Sequence, residues 1–150
     1  MPVLVRCEHP RGRAAARRLR ARALAFLERL GRADRELSLL LVGDRAIRSL
    51  NRRWRGLDLA TDVLSFPSGL PPGSGPFLGD VVISMDMAAR RARAEGRDAS
   101  AELDRYLAHG LLHLLGYDHE RAVDAARMAK KEEDLLKSRG LVGGPLSRSG

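Results

Sequence analysis

Three of the chain's four histidines, His109, His113 and His119, fall within the stretch 109–119. Residues four apart stand on one face of an α-helix about one turn from each other, so His109 and His113 can present their imidazoles to a common point. Gly116 follows where helices commonly end in a left-handed residue, and such a turn brings His119 back toward the same point. Three neutral imidazole nitrogens suit zinc, or another late first-row divalent metal. They leave a fourth coordination position for water or substrate, the mark of a catalytic site. The spacing therefore predicts an open metal site held by His109, His113 and His119. The alternative is a hydrogen-bonded polar face on a helix that otherwise packs Leu107, Leu111, Leu112, Leu114 and Leu115. That reading accounts for one pair of histidines better than for the glycine break and the third histidine.

The full pattern is similar to the metzincin spacing H-E-x-x-H-x-x-G-x-x-H, with one departure. Gly110 stands where those peptidases carry the glutamate that serves as general base. A zinc metallopeptidase-like hydrolase thus keeps its cage and lacks its proton acceptor. Asp118 beside His119 is a turn-former or a carboxylate that orients an imidazole. Ser65 and Asp80 read as structural hydrogen-bonding residues, with Asp80 a lesser candidate for positioning water. Asp58, Thr61 and Asp62 read as turn and strand-entry residues, and Tyr106 as core.

The elements that must position these groups follow from periodicity and punctuation. Residues 2–7 alternate as a strand, and Pro10 and Gly12 break the chain before a helix over about 13–31 with Leu19, Ala23, Phe26, Leu27 and Leu30 as its apolar stripe. Its other face carries Arg13, Arg17, Arg18, Arg20 and Arg22, read as solvated. Leu37–Val42 is a strand, and a short helix capped by Asp44 runs to about Trp54, which should pack. A loop over 55–61 leads into a short strand over 62–66, and the proline- and glycine-rich segment 67–76 is a surface loop. Phe77–Ser84 is the fourth strand and Met85–Glu95 a helix, after which Asp98 or Ser100 caps the histidine-bearing helix. A final helix over about 122–138 should bury Val123, Met128, Leu135 and Leu136. The expectation is one α+β domain over 1–141, a mixed sheet of about four strands covered by about five helices, with 142–150 a flexible tail.

Composition narrows the partners. The formal net charge is +8 with a pI near 10.9, and all but Lys130, Lys131 and Lys137 of the 27 basic residues are arginine. Arginine forks match phosphate oxygens, so a polyanion such as nucleic acid is favoured, although a biased genome gives the same composition. No apolar run approaches the roughly 20 residues a membrane span requires, and the amino terminus lacks the apolar core of a secretory signal. A cytoplasmic location and no membrane partner are expected. The single cysteine, Cys7, reads as a small buried thiol in a strand.

Two further blocks accompany the histidines: Asn51 to Pro67, which reads NRRWRGLDLATDVLSFP, and Leu78 to Ser84, which reads LGDVVIS. Together with His109 to His119, and with Met128, Glu132, Leu136 and Gly140 beyond, they resemble the YbeY family of bacterial endoribonucleases over about residues 37–141. Trp54 stands where that family commonly has tyrosine. The resemblance implies a metal-dependent, single-strand-specific endoribonuclease acting in 16S rRNA 3′-end maturation and ribosome quality control. Its partners would be single-stranded RNA, rRNA and the small ribosomal subunit. It also implies zinc ligation by His109, His113 and His119 and a functional role for Arg55. A bound cation that polarises a phosphoryl oxygen and acidifies its water makes a separate glutamate base dispensable. A ribosome assembly factor with a structural metal is the non-catalytic alternative.

Overall fold

The computed structural model describes residues 2–72, 74–118 and 120–137 of the 150-residue chain. In chain order the elements are β1 (Val3–Cys7), α1 (Arg13–Arg29), β2 (Glu36–Val42), α2 (Asp44–Arg55), β3 (Val63–Pro67), β4 (Phe77–Ser84), α3 (Met85–Glu95), α4 (Ala99–Leu114) and α5 (Ala122–Lys137). The four strands form one sheet in the order β1-β2-β4-β3, with β1, β2 and β4 parallel and the edge strand β3 antiparallel to β4. This is the mixed α+β sheet expected from the pattern. The loop after β3 returns the chain beside the same strand, whereas the other connections carry helices.

Alternation along the strands divides the core in two. Leu37, Leu39, Leu41, Val81 and Ile83 point to one face, where α1, α3, α4 and α5 cover them with Leu19, Phe26, Ala88, Leu107, Leu111 and Leu135. Val42, Leu64 and Val82 point to the other, where α2 supplies Ile47. Helix α4 is the most deeply seated. Its Leu107, Leu111 and Leu112 are fully buried, and each contributes about 1.5–3 kcal/mol relative to exposure. Asp98 caps it by accepting from the Ser100 backbone N–H at 3.1 Å, and Glu102 lies in its first turn.

Several local expectations change. Gly43, not Asp44, is the N-cap of α2, because the Asp44 carboxylate is drawn to Arg90 and accepts from Ser84 Oγ across the sheet end. Cys7 is exposed, since its strand lies at the sheet edge, and its thiol donates to the His9 carbonyl at 3.4 Å. Val123 is 58 % exposed at the start of α5, while Met128 and Leu135 are buried as expected. Trp54 is 64 % exposed, touching Phe66 only edge-on at 6.3 Å between ring centroids. The α1 arginines are only partly solvated. Arg18 and Arg22 both reach Asp104 on α4, at 2.5 Å and 3.4 Å, and Arg22 also donates to the Leu136 carbonyl. Among the described residues no helix is long and apolar enough to cross a membrane.

Candidate metal-binding active site

The carboxy-terminal half of α4 runs beside the edge strand β3, and a cleft of about 390 Å³ opens between them. Val63 and Ser65 of β3 form one wall, His109 and His113 of α4 another, and Arg55 enters from the end of α2. The helix reaches the strand this closely because of Gly110. A Cβ at that position would stand 2.7 Å from Val81 Cγ1 and 3.1 Å from both Ser65 Oγ and Val63 Cγ2. Ser65 Oγ uses the same proximity to donate to the Gly110 carbonyl at 2.9 Å, the structural bond expected of it. A glutamate at 110 would be driven into the sheet rather than the cleft, so the metzincin arrangement does not fit this backbone.

One helical turn places the two imidazoles together. Their ring centroids are 4.6 Å apart, the planes meet at 73°, and His109 Nε2 lies 3.1 Å from His113 Nε2. Two nitrogens bound at about 2.0–2.1 Å to a tetrahedral ion stand about 3.3 Å apart, so the donor pair fits such a cation. The other nitrogen of His109, Nδ1, lies 2.6 Å from Glu132 Oε2 on α5. An ionised carboxylate only accepts, so the ring donates from Nδ1 and carries its lone pair on Nε2, facing His113.

Gly116 does turn the chain, with φ of +97°, and the Gly116 and Tyr117 backbone N–H groups donate to the His113 and Leu112 carbonyls at 3.0 Å and 3.1 Å. His119, the expected third ligand, lies outside the described residues. Among the described residues no group of three or more His, Cys, Asp or Glu side chains is arranged to hold a metal ion. Asp118 is exposed and accepts from the Glu120 backbone N–H at 3.2 Å, the turn role of the two considered.

Arg55 is the last residue of α2, exposed, with Arg52 and Arg53 beside it in the final turn, where a helix favours cations. Gly56 follows with φ of +73°. Buried Asn51 then donates from Nδ2 to the Leu59 carbonyl at 3.0 Å, which ties the next loop back onto the helix. Asp62 lines the cleft, but its oxygens are engaged. Oδ1 accepts from the Val63 N–H at 2.7 Å and from Thr61 Oγ1, and Oδ2 accepts from Arg91 at 2.8 Å, which raises the guanidinium's pKa. Asp58 pairs with Arg48 at 2.9 Å. Asp80 lies on the opposite face of the sheet in a groove with Leu40, Trp54 and Phe66, away from the histidines. Tyr106 is core, and burial pushes its hydroxyl up to about 12.

The sequence of the Endoribonuclease YbeY family matches this chain from residue 9 to residue 140. The chain belongs to the Endoribonuclease YbeY family. A YbeY endoribonuclease of Anaeromyxobacter sp. (strain Fw109-5) is 70 % identical over 150 residues, covering 100 % of this chain and 78 % of its own length. One from Thermus thermophilus is 43 % identical over 138 residues, covering 91 % and 99 %. The solution structure of a Thermotoga maritima protein superposes with a TM-score of 0.67 at 26 % identity, over 89 % of this chain and 86 % of that one. Members of the YbeY family are hydrolases acting on RNA.

Glu132 is the site residue that sequence reasoning placed only in a pattern of spacing, without a role. Its signal was present: Met128 and Leu135 mark the buried face of α5, and Glu132 puts a carboxylate on that same face four residues after one and three before the other.

Proposed function

We propose that residues 1–141 form a metal-dependent, single-strand-specific endoribonuclease domain that acts in the cytoplasm on the 3′ end of 16S rRNA in the small subunit and in ribosome quality control. The observation that carries this reading is the sharing of one cleft by Arg55 and the paired Nε2 atoms of His109 and His113. His109, His113 and His119 would hold the ion, zinc or another late first-row divalent metal. When bound, such an ion polarises a phosphoryl oxygen and lowers the pKa of its water toward about 7.

The chain's own residues supply the rest. His109 offers a lone pair at Nε2 because its proton sits on the opposite nitrogen, where Nδ1–H donates to Glu132. Arg55, a permanent cation with a planar fork, binds the scissile phosphate's oxygens and holds the charge that grows there in the transition state. Thr61 and Asp62 hold the entry of β3 in place, and Val63 and Pro67 make the wall that narrows the cleft. Substrate attraction has a broader source in the net charge of +8, which draws a polyanion to the surface before any contact specific to the cleft forms.

The test is a comparison of one RNA sequence, ending in the 16S 3′ region, presented single-stranded and as a duplex. The single strand should be cut and the duplex left intact, and His113→Ala should abolish cleavage. RNA that binds and stays whole would favour a role in subunit assembly instead.

A further inference from the structure

We propose that Glu132 is a positioning residue that sets the tautomer and orientation of His109, so that α5 determines how well the cleft binds its metal. The inference rests on the reading of His109 as a ligand. The carboxylate and ring nitrogen are 2.6 Å apart, the short separation of a charge-assisted hydrogen bond, and the His109 and Glu132 side chains are about one-third and one-quarter exposed. A neutral imidazole in water favours the proton on Nε2, the nitrogen that must be bare to ligate. Glu132 reverses that preference by stabilising Nδ1–H, and it stops the ring turning about its own axis.

The carboxylate is itself held from two directions. Met128 and Leu135, buried on either side of it along α5, seat that helix on the core beneath α4. From α1, Arg29 grips Asp134 through two hydrogen bonds of 2.7 Å and 3.2 Å, and Arg22 donates to the Leu136 carbonyl. The arginine-rich face of α1 thus anchors the helix that aims Glu132.

The test uses the full chain and the variants Glu132→Ala and Glu132→Gln, with zinc as the probe. Zinc affinity is read by competition with a chromophoric chelator, and the His109 tautomer in metal-free protein by nitrogen NMR of the imidazoles. Glu132→Ala should weaken zinc binding by about 10- to 100-fold and move His109 toward the Nε2–H form. Glu132→Gln, whose amide oxygen still accepts, should keep Nδ1–H and bind zinc with intermediate affinity. A Glu132→Ala protein with parental zinc affinity and an unchanged His109 tautomer overturns the proposal. If the parent itself takes up no zinc, the reading of the cleft as a metal site fails. The tautomer then decides alone: persistence of Nδ1–H without the carboxylate overturns the proposal, and its loss upholds the positioning role.

Discussion

Replacing Gly110 with alanine should destabilise the protein, although the same change in an exposed helix would stabilise it. Alanine in a helix interior gains about 1 kcal/mol over glycine. Against that, the new methyl would meet Val81 Cγ1 at 2.7 Å and Ser65 Oγ and Val63 Cγ2 at 3.1 Å. Val81 is fully buried in β4, which is hydrogen-bonded on both sides, so the sheet cannot yield and α4 must lift. Overpacking of a tight core costs about 1–3 kcal/mol, and three close contacts, one at 2.7 Å, put this site at the upper end, which leaves a net loss of about 2 kcal/mol after the helix gain. With an m-value of about 1–3 kcal/mol/M, urea unfolding followed by far-UV circular dichroism should show a midpoint lower by roughly 0.7–2 M. Gly110→Glu, which restores the metzincin base, buries an unpaired carboxylate in the same place and should fail to give a soluble folded protein. A Gly110→Ala midpoint equal to or above the parent's would refute the reasoning. The glycine would then not be what lets α4 approach β3, and the shape of the cleft would need another cause.

Arg55→Ala should lower the cleavage rate by about 100- to 1000-fold while changing RNA affinity much less; equal losses in both would make Arg55 a binding residue only. Asp86 gives a pH signature, because the Asp44 backbone N–H and the His9 ring hold its carboxyl below the ordinary 3.8. The folded state binds that proton less readily than the unfolded chain, so the contribution is complete above the ordinary value and is lost as pH falls through the depressed one. Asp86→Asn should therefore be less stable than the parent near neutrality, with the gap closing in urea melts below pH 3.8; a gap of constant size would contradict the assignment. Asn51→Ala should release the loop that follows Arg55, seen as faster amide exchange at Leu57, whose N–H bonds to the Asn51 carbonyl.

Much of the fold was legible because its elements carry strong local signals. The bounds of β4 and α3 follow from an apolar run ending at Ser84, which caps α3 by accepting from the Met87 N–H, and from Gly96 with φ of +64°. The histidine pair was legible because a four-residue spacing on a helix is a local property. What escaped depends on contacts between elements distant in sequence. Asp44 was expected to cap its own helix, but Arg90 and Ser84 compete for its carboxylate. Arg18 and Arg22 read as solvated because nothing in their own segment records that Asp104 lies across from them. Glu132 stands far along the chain from His109, and only the packing of α5 on α4 brings them together. In the sequence Gly110 stands out as the place of a missing glutamate, whereas its physical reason, the closeness of Val63, Ser65 and Val81, belongs to the sheet.

The central claim, that His109 and His113 hold a metal on which RNA cleavage depends, is tested most directly by titrating zinc into metal-stripped protein while following cleavage of a single-stranded RNA. Cleavage should be absent at the start, rise to a plateau at about one zinc per chain, and remain absent throughout in His113→Ala. Full cleavage by the stripped protein, or a His113→Ala titration that overlays the parent's, would contradict it.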